Sequence, residues 1–350
     1  ALPFPGAGDR SARAAVTFRG LLVLMLVVSL LSVGTGAAGV SLGQALSDLT
    51  SGQGLSMRDR VILVDIRLPR LAMGLAIGAA LAVSGALMQG LFRNPLADPG
   101  IVGVGAGAGL GAVVAIVLGG VLPLGLGVLG SQLVPFAAFL GGWITTLLLY
   151  RVATRGGQTS VATMLLAGIA LGALAGALTG VMVYLADDTQ LRDLTFWGMG
   201  SLAGASWPKL GAALPLILPT LLLSPLLARG LNALALGEAQ AGHLGVRVQR
   251  VKRLAILGVA AASGAAVAVA GGIGFIGIVV PHVLRLTTGP DHRYLLPNAA
   301  LLGASLLVGA DMIARTVVSP SELPIGIVTA CLGAPVFLWI LLQRRGIGGF

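Results

Sequence analysis

Residues 254–287 form an apolar run of 34 residues with one charged side chain, Arg285, near its end. No other feature constrains the fold so tightly. As a single helix the run would rise about 51 Å, against roughly 30 Å of bilayer hydrocarbon. It must therefore break, and the paired glycines of AGGIGF (270–275) are where a helix ends. The run reads as two membrane spans, near 254–271 and 274–288.

Comparable runs lie near 20–40, 69–91, 100–120, 131–150, 160–186, 210–228, 294–314 and 324–343, which makes ten spans in all. Lipid offers backbone groups no partners, so spans are helices or a closed barrel. These runs are continuous and rich in Leu, Ala, Val and Gly, with no period-2 alternation, so helices are predicted. Composition agrees: 10% of residues are charged and mean hydropathy is +0.98, where a soluble domain carries about 25% charged residues. The run at 20–40 follows Arg10, Arg13 and Arg19 and ends in small residues, as a signal peptide would. Its length exceeds the roughly 7–15 residues of a signal core, so it reads as an uncleaved first span. The 54 glycines point to closely crossed helices. The single cysteine, Cys331, lies in an apolar run, can form no intrachain disulfide, and is expected in the core.

The net charge of +10 could indicate a nucleic-acid partner. The charges sit at the ends of apolar runs, so topology accounts for them better. With the N-terminus inside, 15 of the 22 Lys and Arg residues are cytoplasmic. Residues 1–19 are then a cytoplasmic segment, 20–343 the membrane domain, and 344–350 a cytoplasmic tail. The largest cytoplasmic loop is 229–253. On the opposite side Arg58, Arg60, Arg67 and Arg70 crowd the approach to span two, and Arg315 follows span nine. They form either a solvated rim or a docking surface for an acidic partner.

The sequence contains no G-x-x-x-x-G-K-[ST], and its only lysines are Lys209 and Lys252, so it holds no nucleotide in a P-loop. Gly272, Gly274 and Gly277 fit G-x-G-x-x-G, but no strand precedes them and Pro281 follows in the same run, so the match is false. His243, His282 and His292 have no metal-site spacing, and no catalytic constellation is present. Neither catalytic nor metal residues are expected. Asp311 is the one carboxylate inside a span, thin support for an ion-coupled secondary transporter. An energy source outside the chain fits better.

The loop segment LNALALGEAQAGHLGV (231–246) is half apolar. Leu234, Ala241 and Leu244 are spaced to share one helical face. Gly237 and Gly245 bracket a rigid plug of about two turns. Its apolar face needs a partner.

These residues resemble the iron-complex and vitamin B12-type (FecCD-like) permeases of bacterial ABC importers. RLPRLAMGLAIGAALAVSGALMQGLFRNPLADPGIVGVGAGAG (67–109), the loop 231–246, GGIGFIGIVVPHVLRLTTGPDHRYLLP (271–297) and ELPIGIVTACLGAPVFLWIL (322–341) carry the resemblance. It implies an all-α integral membrane fold, a ten-helix type II importer permease with a short cytoplasmic coupling helix, multi-pass in the inner membrane with both termini cytoplasmic. It implies a homodimer, two ATP-binding subunits and one periplasmic binding protein. Leu234, Leu236, Gly237, Glu238, Ala241, His243, Leu244 and Gly245 would belong to the ATPase coupling segment. Arg67, Arg70 and Arg315 would pair with acidic residues of the binding protein. YLADDTQLRDLTFWGMGSLAGASW (184–207) is most similar to the haem-importing branch, with ferric siderophore or cobalamin as the alternative cargo. His282 and His292 match a shared PHxLR…DHR motif and are either along the cargo path or structural. No cofactor is expected in the chain itself; ATP belongs to the partner subunit.

Overall fold

The computed structural model describes residues 10–36, 51, 54–120, 130 and 132–344. The expected tail beyond Arg344 and the first nine residues lie outside them. Besides a 3-10 turn at Pro99–Val102, twelve helices order the described chain: α1 (Ser11–Gly34), α2 (Met57–Phe92), α3 (Val104–Leu118), α4 (Leu133–Ala153), α5 (Val161–Leu185), α6 (Asp188–Gly198), α7 (Trp207–Leu234), α8 (Glu238–His243), α9 (Val248–Ala270), α10 (Ile276–Thr288), α11 (His292–Ala314) and α12 (Ile325–Arg344). Seven of them are long and apolar enough to cross a membrane. Three more, α3, α10 and the apolar part of α12, are apolar but shorter. Strands β1 (Thr154–Arg155) and β2 (Gln158–Thr159) pair antiparallel around Gly156 and Gly157, both at positive φ, in the loop from α4 to α5. A two-residue turn of that handedness matches the twist of a hairpin.

The long run breaks where its length demanded. α9 ends at Ala270, α10 begins at Ile276, and the backbone between them turns through positive φ at Gly271 and Phe275. The freed backbone groups find partners on neighbouring segments. Ser201 N–H donates to the Ala270 carbonyl at 2.8 Å, and Gly272 N–H donates to the Trp197 carbonyl at 3.4 Å. The G-x-G-x-x-G match is thus a broken membrane helix, its open backbone partly buried against protein and partly lining a cavity.

α2 is the hub. It is buried along most of its length and packs against α7, α9, α10 and α11. Glycine makes this closeness possible. A methyl group on Gly85 would overlap the Gly277 carbonyl of α10, and one on Gly78 would overlap the Gly303 carbonyl of α11. Close backbone approach is the main source of helix association where lipid removes the hydrophobic drive. Large apolar side chains of α1, α5 and α7, among them Leu30, Ile169, Leu222 and Leu226, point outward. Cys331, expected in the core, is instead exposed on α12.

Candidate functional site

Two clusters occupy opposite ends of α2. Arg70 and Arg93 are 23 residues apart along that helix, or about 35 Å.

At the Arg93 end, α7 stops at Leu234 and the chain turns at Gly237, whose φ of 110° no ordinary side chain adopts readily. α8 follows, and Gly245, also at positive φ, closes the segment. The predicted plug is present, but its faces differ from expectation. Leu234 is buried as the last residue of α7, and Ala241 is buried on α8. Leu236 and Leu244 are 65% and 64% exposed. The turn at Gly237 interrupts the helical phase, so Leu234, Ala241 and Leu244 do not share a face. Glu238 and His243 are also exposed. Two exposed leucines thus flank α8, with exposed polar groups between them.

α8 is anchored from beneath by a residue that sequence reasoning treated only as a loop charge. Lys252, on the second turn of α9, is 1% exposed. Its ammonium meets Glu238 Oε1 at 2.7 Å and donates to the Thr159 carbonyl at 2.7 Å. Thr159 N–H in turn donates to Gln249 Oε1 at 2.9 Å. The next residue, Ser160, caps α5 by accepting from Thr163 N–H. One chain of polar contacts therefore runs from α8 through α9 and β2 to the start of α5. The only sequence signal for it was rarity, one of two lysines in the chain.

At the Arg70 end the arginines depart from the expected exposed rim. Arg67, Arg70 and Arg315 are all buried. Arg70 grips Asp311 from Nε and Nη2, at 3.0 and 2.8 Å, and Glu322 from Nη1 and Nη2, at 2.8 and 2.9 Å. Arg315 reaches Asp311 at 3.6 Å and donates to the carbonyl and hydroxyl of Ser32. Arg67 donates to the Val33 carbonyl at 2.6 Å. The cluster ties α1, α2, α11 and the approach to α12 together. Burying three guanidiniums in a membrane protein requires such partners. Hydrogen bonds from Arg70 hold the Glu322 carboxyl below the usual carboxylate range, against the opposing effect of partial burial. Arg58 and Arg60 supply the exposed positive charge at this end.

His282 and His292 are both buried. His292 sits against Asn232, its Nδ1 2.8 Å from Oδ1, which also accepts the His292 N–H at 3.0 Å. The Asn232 amide donates to Asp291 at 2.7 Å. Burial works to raise the Asp291 carboxyl, but hydrogen bonds from Arg293 and Asn232 outweigh it and hold the group at about 2.

A polytopic helical bundle, with a tight glycine break between α9 and α10 and a tethered short helix flanked by exposed leucines at one end, defines the class: a membrane transport permease. The chain belongs to the FecCD transport family, which it matches over residues 24–343. It is 47% identical to the hemin transport system permease protein HmuU of Yersinia pestis over 325 residues, 93% of this chain and 95% of that one. It is 44% identical to the vitamin B12 import system permease protein BtuC of Klebsiella pneumoniae, covering 94% of each. A solved structure described as an inward-facing conformation of a metal-chelate type ABC transporter superposes with a TM-score of 0.82 at 31% identity, covering 93% of this chain and 98% of that one.

Proposed function

We propose that this chain is the membrane subunit of a bacterial ATP-driven importer for haem. The observation that carries the mechanism is that exposed Leu236 and Leu244 flank a short helix, α8, which a buried lysine ties through Thr159 to the start of α5. An apolar pair on a polar-rimmed turn suits a groove on a partner. That partner is a separate ATP-binding subunit, since the sequence has no P-loop. When two such subunits close on ATP, α8 moves, and the Glu238–Lys252–Thr159 contacts carry the movement to α5.

The remaining parts of the reading follow the same logic. The chain crosses the inner membrane ten times, with residues 1–19, the loop 229–253 and the tail 344–350 cytoplasmic. It works as a homodimer and receives cargo from one periplasmic binding protein. Docking falls at the Arg70 end, where Arg58 and Arg60 are exposed and the buried Arg67, Arg70 and Arg315 outnumber Asp311 and Glu322 by one positive charge. The chain carries no cofactor of its own. Haem is favoured by the likeness to HmuU, and cobalamin is the second reading because of the likeness to BtuC. Ion coupling is disfavoured, because Asp311, the one carboxylate inside a span, is engaged in ion pairs with Arg70 and Arg315.

The test is uptake into proteoliposomes holding this chain, its ATPase and its binding protein. Haem should accumulate on ATP addition, and cobalamin and ferric siderophore should not. Preferential accumulation of cobalamin would move the cargo assignment to the second reading. Accumulation driven by a proton gradient without ATP would overturn the class.

A further inference from the structure

A cavity of about 820 Å³ opens among the helix ends at the Arg93 end of the molecule, between the starts of α1 and α11 and the ends of α2, α7 and α10. Arg10, Arg93, Arg285 and Arg293 line it. Among the described residues the one lining carboxylate is Asp291, and that group is taken by Arg293 at 2.6 Å and by Asn232. Among the described residues the lining therefore carries an excess of three positive charges, four arginines less one aspartate. Arg285 is the telling member. Its Nε and Nη2 are shielded from solvent and meet no hydrogen-bond acceptor among the described residues. A guanidinium at this depth is costly unless an anion covers it.

A second, separate feature adjoins the first. An apolar groove of about 250 Å³ runs between α1 and α11, lined by Ala14, Ala15, Phe18 and Pro297. Tyr294 belongs to both the groove and the basic cavity. The cavity is far roomier than inorganic phosphate needs, and the groove runs on from it along the first turns of α1 and α11, up to the apolar run that begins at residue 20. Basic pockets between membrane helices on the cytoplasmic side suit anionic lipid headgroups.

We propose that one anionic phospholipid seats here. Its phosphate lies among Arg10, Arg93 and Arg285, and an acyl chain lies in the groove between α1 and α11. The site does not depend on which cargo the protein carries. Arg93 also approaches Gly237, the N-cap of α8, so the lipid would stand directly behind the coupling segment.

Native mass spectrometry of the detergent-purified chain tests this, with phosphatidylglycerol, cardiolipin, phosphatidylcholine and glycerol phosphate as probes. One phosphatidylglycerol or cardiolipin should be held per chain in preference to phosphatidylcholine. Arg93→Gln/Arg285→Gln should weaken it on the order of tenfold or more, since each arginine near an anionic headgroup contributes substantially. Arg10→Gln/Arg93→Gln changes only exposed side chains and should act in the same direction if the first pair fails to fold. Ala15→Trp should fill the groove and weaken the lipid. Arg229→Gln, a cation outside the cavity, should change nothing. Equal binding of phosphatidylcholine, or undiminished binding by both arginine pairs, would overturn the proposal. So would glycerol phosphate competing as well as intact lipid, which would make the ligand a free phosphate. Loss of the ATPase from the arginine variants with lipid binding intact would assign the cavity to acidic groups of that partner instead.

Discussion

Removing Glu238 should harm this protein more than removing an ordinary surface carboxylate, and removing Lys252 as well should add little further harm. Exposed ion pairs contribute roughly 0–1 kcal/mol, and a glutamate on a cytoplasmic turn would be placed in that class from sequence alone. The structure changes the arithmetic. Glu238 is 43% exposed, but the ammonium it meets is 1% exposed. Glu238→Ala leaves that ammonium with the Thr159 carbonyl as its one hydrogen-bond partner. Breaking a fully buried pair costs about 3–5 kcal/mol. Water reaches the Glu238 side, so about 2 kcal/mol is expected here. Lys252→Met removes the charge, keeps an apolar stem in the same space, and leaves the Thr159 carbonyl without its donor, for about 1–2 kcal/mol. The double variant has no stranded ammonium, so it should lose about 2 kcal/mol, well short of the summed single losses. Thermal midpoints of the purified chain in nanodiscs, read by intrinsic tryptophan fluorescence, give the three shifts. Strict additivity would refute the reasoning, because it would mean that Glu238 and Lys252 do not sense one another.

Leu244→Asp should leave folding and membrane insertion intact, since Leu244 is exposed, and should abolish co-purification of the ATPase by placing a charge in an apolar contact; normal assembly would return the segment to an ordinary loop. Asp311→Ala should destabilise the chain by about 3–5 kcal/mol, since it strands Arg315 and half of the Arg70 guanidinium in the bundle, and a thermal midpoint within a degree of wild type would contradict this. The Asp291 carboxyl titrates at about 2 in the folded chain against 3.8 for an unperturbed aspartate. A folded value below the unfolded one contributes stability that is fully present above about pH 4 and is lost as pH falls through about 2. The stability difference between wild type and Asp291→Asn should therefore be constant from pH 7 to pH 5 and narrow steadily below pH 4; a pH-independent difference would exclude the carboxylate's charge as its source.

Hydropathy made the helical fold legible, because an apolar run and a 30 Å hydrocarbon layer leave few options. The break at 270–275 was legible for the same reason, since run length and paired glycines agree with the observed ends of α9 and α10. The short helical segment at 237–245 was half legible. Glycines marked its limits, but the phase of its apolar face was misread, since a turn at Gly237 resets the helical register in a way that spacing does not record. The arginines at the Arg70 end were recognisable as a cluster, yet their burial was not. Asp311 and Glu322 lie more than 240 residues away in sequence. Nothing local announces such a pairing. Lys252 was hidden similarly, for its two partners, Glu238 and the Thr159 carbonyl, come from two separate elements.

Haem delivered per ATP hydrolysed, in proteoliposomes holding the ATPase and the binding protein, tests the central claim most directly when wild type is compared with Lys252→Met. The account predicts that the ATPase stays bound through Leu236 and Leu244 and continues to hydrolyse ATP. Haem delivered per ATP should fall several-fold, because α8 moves without drawing on Thr159 and α5. An unchanged ratio, with the variant folded and the ATPase attached, would contradict the claim that movement of α8 reaches the membrane bundle through this lysine.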